Sequence, residues 1–234
     1  MTERLPGISI VLPCLDEEGN VVGAVHDALA ACERYAADGE VIVVDDGSTD
    51  RTRALATALV ERHPDVRLVV HRANRGYGAA LRSGIAAARM PFVLLTDADR
   101  QFDLDQLGAF VPLVAHADLV VGYRRRRQDP VGRRVNGRCW NWLVRRLYRI
   151  DVRDVDCAFK LVRRSLLGRL ELTSEGAMIS TELLVKARLA GGTLAEAGVD
   201  HRRRTSGEQS GGSPHVVILA FRELVRLRGS LGPT

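Results

Sequence analysis

The sequence has very little lysine and no long apolar runs. Lys160 and Lys186 are the only lysines among 34 basic residues, so nearly all of the positive charge is arginine. No stretch approaches the roughly 20 apolar residues of a membrane-spanning helix, and residues 1–7 contain no apolar signal region. The cysteines lack the paired spacing of a zinc site, which predicts free thiols; they are Cys14, Cys32, Cys139 and Cys157. These absences predict a cytoplasmic protein.

Charge is distributed unevenly along a chain whose composition is otherwise that of a globular domain. Its 234 residues are 46% hydrophobic and 27% charged, and the net charge is +5. The acidic motifs lie in the first half, whereas arginine clusters lie in the second, at 124–127, 133–138, 145–149 and 202–204. This asymmetry indicates an anionic ligand or surface. Composition alone leaves nucleic acid, phospholipid and diphosphate open.

Short strands rich in Val, Ile and Leu alternate with helical segments through the first half. The predicted strands are 8–12, 40–44, 66–70, 92–95 and 118–121, and the predicted helices lie near 20–37, 49–62, 78–89 and 104–115. Such alternation predicts a mostly parallel sheet flanked by helices. The second half is less regular, with helices predicted at 136–149, 178–190 and from 215, an apolar segment at 155–162 and a strand at 193–199.

Acidic residues directly follow two of the predicted strands. Asp45 and Asp46 come after 40–44, and Asp97 and Asp99 come after 92–95. The carboxyl ends of parallel strands form the ligand-binding edge of an open α/β sheet, and carboxylate oxygens suit Mg²⁺ or Mn²⁺. Taken alone, Asp-x-Asp fits equally well a turn in which aspartate caps the next helix.

Four segments occur in a distinctive order. They are Ser-Ile-Val-Leu-Pro-Cys-Leu-Asp-Glu-Glu-Gly-Asn at 9–20, Val-Val-Asp-Asp-Gly-Ser-Thr-Asp at 43–50, Asn-Arg-Gly-Tyr-Gly-Ala-Ala at 74–80 and Asp-Ala-Asp-Arg-Gln at 97–101. Together they resemble the family 2 glycosyltransferases. Asp-Val-Asp-Cys-Ala-Phe-Lys-Leu at 154–161 is similar to a segment of the dolichol- and polyprenol-phosphate mannosyl- and glucosyltransferases. The resemblance implies a GT-A-type, Rossmann-like α/β fold with an elaborated C-terminal acceptor half.

The same resemblance implies an activity and a set of site residues. The activity is inverting, metal-dependent transfer of a hexose from a GDP- or UDP-sugar to a polyprenyl or dolichyl phosphate. The implied substrate-binding residues are Pro13, Glu17, Asp45, Asp46, Gly76, Asp97, Lys160 and Arg204, and the implied ligands of Mg²⁺ or Mn²⁺ are Asp97, Asp99 and Gln101. The implied catalytic residues are Asp99, Arg124, Arg134 (or its neighbour Arg133) and Glu182. We expect Arg100 to point away from the cation.

Several of these residues have a plainer interpretation. Asp46, Gly47 and Ser48 also suit a tight turn, residues 16–18 a solvated acidic loop, and Lys160 a solvated flank. Gly76 and Gly78 do not complete a dinucleotide fingerprint, so we expect a loop that packs close to the donor. Asp16 stands where the family usually has Asn, and Ala158 where it usually has Gly. Residues 201–210 resemble the loop that closes over donor and acceptor, although Gln209 and Ser210 depart from its pattern.

The class of acceptor depends on its nucleophile. A hydroxyl needs a carboxylate base, and Glu182 is the candidate, with a helix-surface or helix-cap role as the alternative. A lipid phosphate is already ionised and mainly needs positioning, which the abundant arginine favours. A nucleotidyltransferase and a nucleic-acid-binding protein remain as distant alternatives. A nucleotidyltransferase should have a Gly-rich phosphate loop near its N-terminus, where this chain has Leu-Pro-Cys-Leu-Asp at 12–16 instead. In a nucleic-acid-binding protein, the acidic strand ends would repel the phosphate backbone.

Two basic amphipathic segments, near 136–149 and from 215, favour contact with an anionic membrane, although packing on the sheet also explains their apolar faces. We expect one glycosyltransferase domain over residues 1–234. Within it, 1–122 is the nucleotide-sugar half, 123–213 the acceptor-side half and 214–234 a C-terminal amphipathic helix. The expected location is the cytoplasm, peripherally on the inner face of the membrane, where a separate membrane subunit is a candidate partner and nucleic acid is not.

Overall fold

The computed structural model describes residues 4–125, 131–148 and 150–202, with side chains of 131–139 outside the description. Its sheet has seven strands in the order β3-β2-β1-β4-β6-β5-β7. They are β1 (Ile8–Cys14), β2 (Gly39–Asp45), β3 (Val66–Val70), β4 (Phe92–Leu95), β5 (Leu119–Arg124), β6 (Lys160–Arg163) and β7 (Leu194–Val199). Within this described part only β6 is antiparallel to its neighbours. The predicted, mostly parallel sheet is confirmed.

Helices connect these strands. They are α1 (Val21–Tyr35), α2 (Thr52–Arg62), α3 (Tyr77–Ala87), α4 (Val131–Tyr148), α5 (Arg164–Leu167) and α6 (Ile179–Leu189). The single helix predicted at 104–115 is instead a pair of 3₁₀-helices, Leu104–Ala109 and Val111–Ala115. Pro112 has no N–H to donate to the carbonyl of Gly108, which explains why one α-helix does not continue through this segment. The helix predicted from 215 lies outside the described residues.

Apolar side chains cover both faces of the sheet. Along β1, Ile10 and Leu12 belong to one core cluster, whereas Val11, between them, belongs to the other. This alternation follows from the two-residue repeat of a strand. Phe159 is fully buried and its ring packs edge-on against that of Phe110, with the ring centroids 4.9 Å apart. The strands are therefore apolar on both sides because helices lie on both sides.

Three of the four cysteines are described, and each is a buried free thiol: Cys14, Cys32 and Cys157. Burial is the main cause that raises the pKa of the Cys157 thiol to about 11. The predicted free thiols are confirmed at these positions, and the side chain of Cys139 is outside the description. None of the helices in the described ranges combines the length and the apolarity needed to cross a bilayer.

Candidate active site

The site lies where the strand order changes direction. From β1 the chain builds β2 and β3 on one side and returns to form β4 on the other. The carboxyl ends of β1 and β4 therefore border the crevice in which open α/β sheets bind ligands. Pro13 pairs with Val44 at this end of β1, and the backbone N–H of Thr96 donates to the Val11 carbonyl at 3.3 Å. Asp97 and Asp99 follow immediately.

The acidic loop after β1 is tied to the loop after β2. Asp16 has φ of +53°, and its Oδ1 accepts hydrogen bonds from the backbone N–H groups of Thr49 at 2.7 Å and Asp50 at 3.3 Å. The backbone N–H of Glu17 donates to Thr52 Oγ1 at 2.8 Å, and Glu17 itself is buried. A solvated loop is therefore wrong for Glu17. Asp can replace Asn at position 16 because both residues tolerate the left-handed conformation.

Asp45 hydrogen-bonds two groups of the loop and helix that follow it. Its Oδ1 accepts from the backbone N–H of Ser48 at 3.0 Å, and its Oδ2 pairs with Arg53 Nε at 2.7 Å. Gly47 has φ of +77°, so the tight-turn interpretation is confirmed. A contact between Asp45 and a nucleotide stays a prediction.

Asp46 holds the glycine loop that leads into α3. Its Oδ1 accepts from His71 Nδ1 at 2.6 Å and from the backbone N–H of Arg75 at 3.0 Å, while its Oδ2 accepts from the backbone N–H of Gly76 at 2.9 Å. Both oxygens thus receive donors from the chain itself. Asp46 shapes this loop, and its contact with a nucleotide remains a prediction.

The start of α3 packs against residues 174–176, which lie almost 100 positions further along the chain. Gly76 has φ of +95°, and a Cβ there would lie 2.5 Å from the Glu175 carbonyl oxygen. That carbonyl accepts hydrogen bonds from the N–H groups of Gly78 at 2.7 Å and Ala79 at 3.3 Å. It therefore occupies donors that a helix N-terminus otherwise offers to an anion. The predicted proximity of this loop to the donor stays a prediction, and the sequence did not indicate the segment that packs on these glycines.

The residue that follows the Asp-x-Asp pair points away from both carboxylates. Arg100 has φ of +58°, and its Nε pairs with Asp27 Oδ2 on α1 at 2.8 Å, so the expectation that Arg100 points away is confirmed. Asp99 Oδ1 accepts from the backbone N–H of Gln101 at 3.0 Å, and the Tyr77 hydroxyl donates to Asp97 Oδ1 at 2.9 Å. Burial first, and then the Asp97 charge, raise the pKa of the Tyr77 phenol well above its usual value.

These residues fit a divalent cation that shares its ligands with a substrate. No cluster of three or more His, Cys, Asp or Glu able to hold a metal occurs within the described ranges. Mg²⁺ is commonly bound by one or two carboxylates together with substrate phosphates, which is the number that Asp97 and Asp99 supply. The Arg100 guanidinium, which follows Asp99 in the chain, pairs with Asp27.

The segment that resembles a closing loop begins beside this turn. Gln101 Nε2 donates to the Arg202 carbonyl at 2.8 Å, and the Arg202 N–H donates to the Gln101 carbonyl at 2.8 Å. Arg202 also pairs with Asp103 at 2.6 Å. His201 packs on Phe102, with ring centroids 5.1 Å apart. The rest of the segment, including Arg204, lies outside the described residues.

Arg124 forms a two-point ion pair at the carboxyl end of β5. Its Nε and NH2 groups donate to the two carboxylate oxygens of Asp154 at 2.7 and 2.9 Å, and only 13% of its side chain is exposed. Burial opposes the charge of Arg124, but the hydrogen bonds and charge of Asp154 outweigh it and raise the pKa of the guanidinium. The side chain of Arg134, the other arginine predicted to be catalytic, lies outside the description.

A cavity of about 780 Å³ opens beside this pair. Four arginines and two aspartates lie in its wall, so the described lining carries net positive charge. Apolar surface comes from Tyr123, Trp142 and Ile150. The charged lining residues are Arg124, Arg145, Arg146, Arg153, Asp151 and Asp154.

Lys160 is buried, with 2% of its surface exposed. Its Nζ donates to the Cys157 carbonyl and lies 3.4 Å from Ser180 Oγ on α6. Burial lowers the pKa of this ammonium group. The solvated-flank interpretation is therefore wrong, because Lys160 joins the 154–161 segment to α6 from inside the fold. Its contact with substrate remains a prediction.

Glu182 is fully buried and already hydrogen-bonded by its own chain. It accepts from the backbone N–H groups of Thr173 at 2.9 Å and Ser174 at 2.8 Å, and it pairs with Lys186 at 2.7 Å. Burial alone would raise the pKa of Glu182, but these donors hold it below its usual value. The helix-surface and helix-cap alternatives are wrong, and the geometry does not favour a general base. Instead, Glu182 fixes the segment whose Glu175 carbonyl caps α3.

The strand order and the Asp-x-Asp turn after β4 define a glycosyltransferase of the GT-A type. The chain belongs to glycosyltransferase family 2: the model described as glycosyl transferase family 2 matches residues 9–170. The predicted family, fold class and enzyme class are therefore confirmed.

Two relatives illustrate the sequence similarity. A dodecaprenyl-phosphate galacturonate synthase of Rhizobium johnstonii is 31% identical over 208 residues, which cover 86% of this chain and 60% of the relative. This chain thus spans about three fifths of that protein's length. An uncharacterized glycosyltransferase of Mycobacterium tuberculosis is 35% identical over 205 residues, covering 86% of this chain and 88% of the relative.

A solved structure shares the fold. Glucosyl-3-phosphoglycerate synthase from Mycobacterium tuberculosis, in complex with Mn²⁺, uridine diphosphate and glucosyl-3-phosphoglycerate, superposes with a TM-score of 0.74 at 21% identity. The match covers 96% of this chain and 79% of that one. At this identity the likeness extends to the fold alone.

Proposed function

We propose that this glycosyltransferase transfers a hexose, with inversion, from a GDP- or UDP-sugar to the phosphate of a polyprenyl or dolichyl lipid, with Mg²⁺ or Mn²⁺ as cofactor. The observation that carries the proposal is the common location of two oppositely charged features. β4 and β5 run in the same direction, since both are antiparallel to β6. The carboxylates after β4 and the arginine-lined cavity at the end of β5 therefore lie along one edge of the sheet.

The donor half of the proposal rests on the acidic strand ends. Asp97 and Asp99, with Gln101 beside them, would hold the cation, which when bound offsets negative charge on the leaving diphosphate. Pro13, Glu17 and the loops shaped by the aspartates after β2 would surround the base and ribose. The structural neighbour glucosyl-3-phosphoglycerate synthase contains uridine diphosphate and Mn²⁺, which supports testing uridine donors first.

The acceptor half rests on the cavity and on Glu182. An ionised phosphate needs no proton removed and mainly requires positioning and charge neutralisation, which the arginines beside Arg124 can provide. A hydroxyl acceptor would need a base, and Glu182 already accepts several hydrogen bonds inside the fold. The relative named for dodecaprenyl phosphate also favours a lipid phosphate. Arg134 and Arg204 are proposed as further phosphate contacts.

A location on the inner face of the membrane completes the proposal. Trp142 is 67% exposed on α4 and shares the cavity wall with Arg145 and Arg146. Exposed tryptophan beside basic side chains suits the interface of an anionic bilayer. The protein would then reach its lipid as a peripheral cytoplasmic enzyme, with a separate membrane subunit as a candidate partner.

The experiment compares two acceptors that differ by one group. Purified protein is incubated with GDP- and UDP-hexoses and with Mn²⁺ or Mg²⁺, and it is offered either a polyprenyl phosphate or the corresponding polyprenol. We expect a sugar-linked lipid phosphate by mass spectrometry and no product from the polyprenol. Transfer to the polyprenol, or to a soluble sugar but not to the lipid phosphate, would contradict the proposed acceptor. Equal turnover in a chelator would contradict the proposed cofactor.

A further inference from the structure

We infer that Tyr77 is a positioning residue that orients the Asp97 carboxylate toward the divalent cation of the donor site. The inference rests on the proposed function, since it concerns the metal that Asp97 and Asp99 would share. It assigns a task to a tyrosine that lies between Gly76 and Gly78 and for which the sequence predicts no role.

The contact crosses from one element to another. Tyr77 is the first residue of α3, and its hydroxyl donates to Asp97 Oδ1, just past the end of β4, at 2.9 Å. A carboxylate turns easily about its terminal bond, because that torsion is broad. A fixed donor on one oxygen therefore selects the direction in which the other oxygen presents its lone pairs. In this way the hydroxyl sets the geometry of a ligand without touching the metal.

Tyr77 can act as a fixed donor because the backbone on both sides of it is held. Before it, Asp46 accepts hydrogen bonds from the N–H groups of Arg75 and Gly76. After it, the Glu175 carbonyl accepts from the N–H groups of Gly78 and Ala79. The tyrosine therefore starts from an anchored turn. Rigid support of this kind is what a metal ligand requires if its geometry is to persist before the metal arrives.

The two carboxylates are oriented by different kinds of donor. Asp99 Oδ1 accepts from the backbone N–H of Gln101 at 3.0 Å, a contact that a side-chain substitution there leaves in place. Asp97 Oδ1 accepts from a side chain, so the substitution Tyr77→Phe removes one hydroxyl and keeps the ring. The variant therefore keeps the Asp97 carboxylate but removes the hydrogen bond that orients it.

The test measures metal binding directly. Mn²⁺ is titrated into wild type and Tyr77→Phe by calorimetry in the presence of saturating UDP and, in parallel, GDP. Loss of an outer hydrogen bond to a metal ligand typically weakens metal binding 10–100-fold, and we expect a loss in that range with nucleotide affinity in chelator unchanged. Tyr35→Phe is the matched control, because its hydroxyl donates to the Asp105 carbonyl at 2.8 Å; we expect its Mn²⁺ affinity to equal that of wild type.

A second pair of variants separates failure of the inference from failure of the proposed function. Asp99→Ala should lose Mn²⁺ binding altogether, and Tyr77→Leu repeats the test if Tyr77→Phe does not give a native circular-dichroism spectrum. If Asp99→Ala loses the metal while Tyr77→Phe binds it as tightly as wild type, the positioning role is overturned and the metal site stands. If wild type shows no metal-dependent nucleotide binding, the cofactor proposal falls and the inference falls with it.

Discussion

At the scale of single residues, two acidic side chains predicted to bind substrate or act in catalysis hydrogen-bond to the backbone of neighbouring loops. Asp46 holds Gly76 and its neighbour Arg75, and Glu182 holds Thr173 and Ser174, each through backbone N–H groups. Hydrogen bonds to a charged group are among the stronger ones in a protein. These carboxylates therefore hold the backbone of loops around the site. Substituting one of them changes the loop structure as well as any contact with a ligand.

Glu182→Gln should lower the free energy of unfolding by about 1.5–3 kcal/mol at neutral pH, the range for hydrogen bonds to a charged group. The amide keeps an acceptor oxygen but loses the charge that pairs with Lys186. Unfolding in urea, followed by circular dichroism, measures the difference. Glu175→Gln, an exposed carboxylate in the adjoining segment, is the control and should stay within about 0.5 kcal/mol of wild type.

The difference in unfolding free energy between wild type and Glu182→Gln should depend on pH if the charge of Glu182 causes it. Its donors hold the pKa of Glu182 below the ordinary value of 4.5. The stabilisation is therefore complete above that ordinary value and is lost as the pH falls through the lower, folded-state pKa. Glutamine does not titrate, so the gap between wild type and Glu182→Gln should narrow in acid. A gap that stays constant down to pH values near unfolding would show that shape rather than charge causes the loss.

The sequence predicts a set of candidate site residues, but it does not predict the residues that they contact. The direction of Arg100 could be predicted because like charges exclude it from a cation site. The burial of Lys160 could not, because its partners are the Cys157 carbonyl and Ser180, the latter 20 residues away. Tyr77 was missed for a similar reason: its partner Asp97 is 20 residues away along the chain. Local chemistry can be read from a sequence, whereas contacts between separate elements depend on how the sheet is assembled.

At the scale of elements, most strands and helices were predictable because both core faces are strongly apolar. The exception at 104–115 shows the limit of the pattern: its apolar spacing is helical, but Pro112 prevents a continuous hydrogen-bond ladder. The reversal of β6 was also unpredicted. Its apolar residues suit either direction, and only the long excursion between β5 and β6 brings it back antiparallel to both neighbours.

Gly78→Ala should disrupt the junction between α3 and the 173–176 segment. A Cβ at this position would lie 2.5 Å from the Ser174 carbonyl oxygen and 2.8 Å from that of Gly176. Backbone cannot retreat as a flexible side chain does, so we expect a loss of about 1–3 kcal/mol in unfolding free energy, as for other overpacked sites. Chemical denaturation provides the measurement.

The matched control for this junction is Gly168→Ala. A Cβ there would meet only the Arg164 carbonyl oxygen at 3.7 Å and that of Ser165 at 3.9 Å, which are ordinary contacts. We expect the control to match wild type or to be slightly more stable, because alanine restricts the unfolded chain. Equal losses in both variants would mean that the close approach at Gly78 is not the cause.

At the scale of the whole molecule, the basic face around α4 predicts binding to anionic vesicles. Trp142→Ala and Arg146→Ala should each reduce partition onto phosphatidylglycerol vesicles, the arginine variant by about fivefold, since one basic residue contributes about 1 kcal/mol near such a surface. Sedimentation with vesicles measures the bound fraction. Leu189→Ala is the control, because Leu189 is 54% exposed on α6 and is absent from the lining of the cavity. Equal binding to neutral phosphatidylcholine vesicles would contradict an electrostatic attachment.

The strand order has a further consequence for how the chain acquires its structure during synthesis. β1 finds its first partner, β2, about 30 residues later, and it gains β4 once residue 95 has been made. β5, by contrast, is made before either of its neighbours. Both β6 (Lys160–Arg163) and β7 (Leu194–Val199) come after it in the chain. Pairings so distant in sequence form slowly. The part of the sheet from β1 to β4 can therefore assemble as it leaves the ribosome, whereas the edge of the cavity forms only when nearly all of the described chain has emerged.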